Sequence, residues 1–271
     1  MKMTKLFDVL IKFSKKSSLK FNLASPSLLD VGCGNGDTVY DCLSKGYEAF
    51  GTDVEFKEGP YKDHLIEEGR VKKLGSDSAS RLDTIDNNNL MEYAWPFPND
   101  TFDVVCSRAT IEHVFNLNDF VIENNRVLKD SGIAIHYFPS KFALIEPHVG
   151  IPLAGLFRAN FYLTLCVYLG LCFKKYKKFT KAEAVKHIKL YLDNYTCYRN
   201  EKEIIQKFES HGFVLEGRYP NVILQATEKD WAKFISKFSP LRYLFSLFRS
   251  KLLVFSKEQR LNLTSLKLAS T

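Results

Sequence analysis

Three glycines at alternate positions, directly after an apolar run, constrain this chain more than any other feature. In "LLDVGCGNGD", residues 28–37, the run Ser27–Val31 reads as a buried strand, and Gly32, Gly34 and Gly36 give a turn whose backbone can lie close against a ligand. A helical pattern begins at Asp37, with Val39, Cys42 and Leu43 on one face, and Gly46 ends it as a C-terminal cap. Residues 47–52 read as a second strand finishing on Asp53. Strand, glycine loop, helix and strand within roughly 30 residues form a right-handed βαβ unit, which commits the chain to a parallel sheet.

The pattern repeats. "TFDVVCSRA" predicts a buried strand over residues 102–107, "NDFVIENNRVLKDSG" a helix stopped at Ser131 and Gly132, and "GIAIHYF" the next strand. Near-continuous apolar strands alternating with helices imply a sheet covered on both faces. In "GFVLEGRYPNVILQATEK" two apolar segments are separated only by residues 218–221, too few for a crossover, so they are expected as an antiparallel hairpin. Between the fifth strand and this hairpin lies an insert, residues 139–200. Its apolar run 161–173 is too short to span a bilayer, and it is expected as a helical lid over the sheet's carboxyl edge.

At 271 residues and 45% hydrophobic, the chain can bury one full domain core. Six scattered cysteines contain neither a C-x-x-C pair nor an iron–sulfur spacing, which predicts reduced thiols and a cytoplasmic protein. Residues 1–26 are basic, but Asp8, Lys12 and Lys15 interrupt their apolar positions. A short amphipathic helix with Leu6, Val9, Leu10 and Phe13 on one face is expected rather than a signal peptide. The domain is expected over residues 27–227, followed by a tail, 228–271. There Trp231, Phe234, Ile235 and Phe238, then Leu241, Phe245, Phe248 and Leu252, make an apolar stripe. Residues 228–260 carry eight Lys or Arg against three Asp or Glu, so these basic amphipathic helices suit either a peripheral contact with the inner membrane surface or packing on the domain or a second subunit as a homodimer. Nucleic acid is disfavoured, because the basic residues alternate with large aliphatics.

A dinucleotide site wants G-x-G-x-x-G, yet the third position is Asp37, and no Gly-Lys-Ser/Thr follows for a triphosphate. Asp30 and Asp37 would set two carboxylates against a pyrophosphate. They favour a ligand that is cationic near the loop and carries a ribose further along. S-adenosylmethionine has an ammonium, a sulfonium and no phosphate, and Asp53, 21 residues after Gly32, is placed to accept from ribose hydroxyls.

"LLDVGCGNGD", "AFGTDVEFKEGP", "WPFPNDTFDVVCSRATIEHV" and "NRVLKDSGIAIHYFPS", in this order, resemble the class I S-adenosylmethionine-dependent methyltransferases over residues 27–150. The resemblance implies an α/β, Rossmann-like, doubly wound sheet of seven mostly parallel strands with an antiparallel C-terminal hairpin. It also implies that Asp30, Gly32, Cys33, Gly34 and Gly36 wrap the methionine part, with Asp53 and Val54 at the ribose. Asp86, or Asp77 in its place, would approach the adenine, and Ser107, with Arg108, would line the methyl side. The family's Pro-Gly-Gly turn before strand five is here Asp130-Ser131-Gly132.

A hydroxyl acceptor benefits from a base. The candidates are His113, with Glu112, after the fourth strand, and Glu146 and His148 in "IEPHVG" after the fifth. His136 alternates within its strand and reads as a core residue, while His64, His187 and His211 read as surface groups, and no metal-ligand spacing is read. The expected acceptor is a small molecule, sugar- or lipid-linked, methylated at oxygen. Two rivals are a nicotinamide-dependent oxidoreductase, which Asp37 disfavours, and a non-catalytic cofactor-binding module at a membrane.

Overall fold

β1 (Ser27–Val31) lies at the centre of the sheet, flanked by β2 (Glu48–Asp53) and β4 (Phe102–Arg108). The structure is a computed structural model that describes residues 26–74, 94–219 and 250–258. β3 (Val71–Lys73), β5 (Leu128–Pro139), β6 (Phe213–Arg218) and β7 (Ser250–Lys257) complete a seven-stranded sheet of order β3-β2-β1-β4-β5-β7-β6. β1 to β5 pair in parallel, and β7 runs antiparallel to both β5 and β6. The strand order reverses between β1 and β4, which opens a crevice at their carboxyl ends.

Side chains alternate between two cores. Leu28, Val104, Cys106, Ile135 and Val254 pack with Val39 and Cys42 of α1 (Asp37–Leu43) on one face. Leu29, Val105, Ala134, Leu253 and Phe255 pack on the other with Val121 and Val127 of α3 (Leu117–Val127) and Phe208 of α6 (Glu201–Glu209). This explains the near-continuous apolar strands, since a doubly covered strand has no solvent face. The helix α2 (Lys62–Glu67), before β3, buries only Leu65.

The second hairpin strand, expected at residues 222–227, lies outside the described residues; among those described, β6 pairs antiparallel with β7. Two expectations need correction. Residues 250–257 were read as the end of a helical stripe, yet Leu252, Leu253, Val254 and Phe255 are all buried, two toward each core, as only a strand permits. Lys257, counted among the tail's basic residues, is buried too, with its ammonium donating to Asp100 Oδ1 and to the carbonyls of Asn125 and Leu128. Finally, α3 stops at Val127 rather than at Ser131, because Leu128 is already extended and pairs with Phe102; the chain then bulges before regaining register at Ile133. The N-terminal helix of residues 1–26 and the tail residues 228–249 lie outside the described residues.

The insert has its own core. α4 (Asn160–Tyr168) and α5 (Lys181–Tyr195) bury Leu163, Cys166 and Val167 against Ala184, Ile188 and Leu192. A capping box, Thr180 with Glu183, starts α5. Arg199 ties the segment after α5 to the sheet's carboxyl edge by donating to the carbonyls of Val114 and Phe115. Among the described residues no helix is long and apolar enough to cross a membrane. All six cysteines are free of disulfides.

Candidate active site

The glycine loop joins the end of β1 to α1 and is drawn onto β2. The amides of Gly32 and Cys33 both donate to the Thr52 carbonyl, at 2.8 and 3.2 Å. Gly32 has a φ of +77°, and a Cβ there would stand 2.3 Å from the Thr110 hydroxyl, so no side chain fits. At Gly34, with φ +59°, only the Lys57 Cδ lies near, at 3.7 Å. That opening is the cradle in which a ligand can meet bare backbone, and it fits the methionine part of the expected cofactor.

Asp53 ends β2 beneath this cradle. Its Oδ2 accepts from the Gly34 amide at 2.7 Å and its Oδ1 from the Glu55 amide at 3.2 Å. Each oxygen keeps a lone pair for a ribose hydroxyl. Val54, next along, is 39% exposed and can cover a ligand. Asp30 is different: it is buried behind the loop, and burial pushes its carboxyl up to about 7 against the pull of Arg108 and a hydrogen bond with Thr38. Its influence on a ligand is therefore exerted through charge, which a nearby cation would restore. Asp37 begins α1, so a pyrophosphate at this N-terminus would meet a carboxylate. Burial, then Asp30 and Asp53, push the Cys33 thiol far up, leaving Cys33 to contribute backbone alone.

Ser107 sits at the right strand end but faces inward. It is fully buried, and its hydroxyl is 2.8 Å from His136 Nδ1, so its side chain is engaged in the core. His136 is the core histidine expected, wedged between Phe120 and Phe208, and burial holds it down at about 3. Asp77 and Asp86 lie outside the described residues. His64 and His187 are exposed and His211 is half-buried.

The acceptor-side candidates converge. Thr110, which packs on Gly32 and donates to the Val31 carbonyl, leads into a single 3-10 turn, Ile111–His113. His113 Nε2 then lies 3.2 Å from His148 Nε2. His113 Nδ1 is 2.5 Å from the Tyr195 carbonyl, a free acceptor at the C-terminus of α5, and His148 Nδ1 is 2.7 Å from Glu146 Oε1. A carbonyl and a carboxylate can only accept, so both rings carry a proton on Nδ1, and as neutral imidazoles they point bare Nε2 atoms at one spot. Burial holds His113 below its usual range, with the neighbouring His148 and Lys57 acting in the same direction.

Two carboxylates flank this pair in unlike states. Glu146 also receives the amides of His148 and Val149 at 2.7 Å and the Tyr198 hydroxyl at 2.6 Å. Burial would raise it, but the bonds from His148 and Tyr198 outweigh burial and hold it low and ionised. Glu112 is 2% exposed, and neither of its oxygens has a hydrogen-bond partner among the described residues. Burial, with Glu146 nearby, pushes it up to about 8. It caps no helix, since Asn116 caps α3. Sequence reasoning missed Tyr198 and the Tyr195 carbonyl, which lie 50 and 82 residues from the histidines they meet. No spacing signal marks either.

A family profile described as "Methyltransferase domain" matches residues 29–136. The ubiquinone/menaquinone biosynthesis C-methyltransferase UbiE of Cereibacter sphaeroides is 32% identical over 105 residues, a match that spans 39% of this chain and 39% of the relative's length. Among solved structures, an S-adenosylmethionine dependent methyltransferase from Mesorhizobium loti superposes with a TM-score of 0.50 at 11% identity, covering 89% of this chain and 94% of that one. Phosphoethanolamine N-methyltransferase 2 of Haemonchus contortus, solved with S-adenosyl-L-methionine, has a TM-score of 0.48 at 18% identity and covers 93% and 52%. At such identity the Mesorhizobium structure speaks to the fold, and it agrees with the strand order above.

Proposed function

We propose that the chain is a class I S-adenosylmethionine-dependent methyltransferase, a reading supported by the methyltransferase-domain profile over residues 29–136, and that it methylates a hydroxyl group of a small-molecule, sugar- or lipid-linked acceptor. The observation that carries the acceptor chemistry is the convergence of His113, His148 and Glu112 on one spot beside the glycine loop. When bound, the cofactor supplies an electrophilic methyl group on a sulfonium. The chain's own residues do the rest. The backbone at Gly32 and Gly34 receives the methionine part, Asp53 holds the ribose, and the charge of Asp30 favours a cation. A hydroxyl must lose its proton as its oxygen attacks, and the Nε2 atoms of His113 and His148 are the acceptors this reading assigns to it. Glu146, pinned by four donors, positions His148.

The exposed apolar residues Phe142, Leu144 and Ile145, just before Glu146 in the chain, support an acceptor with an apolar portion.

Calorimetry with S-adenosylhomocysteine, together with mass-spectrometric screening of hydroxylated acceptors, tests this reading. Binding of the cofactor product and methyl transfer to oxygen are expected. An absence of cofactor binding overturns the function, and transfer to carbon or nitrogen alone overturns the acceptor chemistry.

A further inference from the structure

We propose that Glu112, His113 and His148 form a binding site for a divalent transition-metal ion of the zinc type. The inference rests on the reading that this cluster faces the acceptor, and it says how the cluster would activate a hydroxyl. One ligand atom from each residue lies within 4.8 Å of the others. The two Nε2 atoms are 3.2 Å apart. In the neutral imidazoles neither can donate to the other, because each ring's proton is committed at Nδ1, so two lone pairs face one another. That separation is close to the roughly 3.3 Å between two nitrogens bound at about 2.0–2.1 Å to one tetrahedral zinc. Glu112 Oε1 stands 4.0 Å from His113 Nε2 and needs only a small side-chain shift to join them.

Two further features point to an ion. Glu112 is a buried carboxylate with no partner for either oxygen among the described residues, aimed at the same place as the lone pairs. Both histidines have the outer partners that orient metal-bound imidazoles, a carboxylate for His148 and a backbone carbonyl for His113. Two imidazoles and one carboxylate suit a borderline divalent ion and leave coordination positions open. The side chains of His113 and His148 are 33% and 19% exposed, so the site has a mouth. A hydroxyl oxygen entering an open position would be acidified by the ion and release its proton to water, which makes the oxygen nucleophilic without a ring nitrogen having to take the proton.

The untagged full chain, stripped by chelator, is titrated with Zn²⁺ alone by calorimetry, and with Co²⁺ alone while visible absorption is recorded. One ion per chain is expected, with the intense bands of a low-coordinate Co²⁺. Glu112→Gln and His148→Ala should lose stoichiometric binding, and His64→Ala, altered on an exposed helix face, should keep it. If the wild-type chain takes up no stoichiometric Zn²⁺ or Co²⁺, the two rings share a proton instead and the proposal is overturned. It is equally overturned if Glu112→Gln binds as wild type. S-adenosylhomocysteine is titrated alongside: cofactor binding without metal removes only the metal site, and metal binding without cofactor removes only the methyltransferase reading.

Discussion

The glycine loop and the histidine cluster touch at Thr110, yet they are assembled in opposite ways. The hydrogen bonds that hold the loop's amides are short in sequence: Gly34 meets Asp53 over 19 residues, and Gly32 meets Thr52 on the adjacent strand. The cluster gathers His113 from the turn after β4, Glu146 and His148 from the insert, Tyr195 from the end of α5 and Tyr198 from just beyond it. The loop's amides are satisfied by the Thr52 carbonyl and the Asp53 carboxylate of β2, whereas the cluster leaves both oxygens of Glu112 without hydrogen-bond partners among the described residues. In the proposed reading one region holds a ligand of fixed shape, while the other reacts with an acceptor that the insert, rather than the domain it decorates, defines.

If that division is real, changes on the two sides should separate in kinetics. The largest effect is expected at His148→Ala, where turnover should fall by about 100-fold or more while cofactor affinity stays within about twofold. Single-turnover rates alongside calorimetry would decide it. A variant that turned over normally would take the cluster out of the chemistry and break the comparison. Asp53→Ala should do the reverse, weakening cofactor binding by roughly 10- to 100-fold for the loss of charge-assisted hydrogen bonds, with turnover at saturating cofactor little changed. Tyr198→Phe sharpens the acceptor side further. It removes one of the bonds on Glu146 Oε1, and turnover should drop by roughly tenfold without loss of cofactor affinity.

The same contrast decides how much could be read beforehand. The alternation Leu28, Leu29 and Val31, the glycines and the acid ending β2 lie close together, so their spacing carries both the βαβ unit and the cofactor. His113, Glu146 and His148 were legible as residue types placed after strand ends, because in a parallel sheet those ends share one edge. Their mutual geometry was not, since it depends on how an insert with its own core folds back. β7 was missed for another reason. Leu252–Leu253–Val254–Phe255 is a four-residue apolar run that suits a doubly covered strand and a buried helix alike, and it followed a helical stripe. Only the gap between β5 and β6 decides between them. Ser107 was placed on the correct strand, but the pleat sends its hydroxyl to His136.

His136 gives the smallest and most discriminating expectation, because it is a histidine that belongs to neither region. It is fully buried among Phe120 and Phe208, with Nδ1 on Ser107 and with Nε2 unpartnered among the described residues, and burial holds it at about 3. In the unfolded chain it titrates near its ordinary value of about 6.5. Between these values the unfolded state binds a proton that the folded state refuses. Its contribution to stability is therefore intact above about 6.5 and is lost progressively as pH falls toward about 3. Lowering the pH from 6 to 5 should cost about 1 kcal/mol from this residue alone. Urea unfolding of wild type and His136→Gln at both pH values isolates that share, and the variant should show the shallower fall, whatever its stability at pH 7. Equal slopes would mean that His136 is protonated or solvated in the folded chain. The sheet's core would then be open on the side of α3 and α6, and the sharp line between an inert histidine inside the sheet and a reactive pair at its edge would be lost.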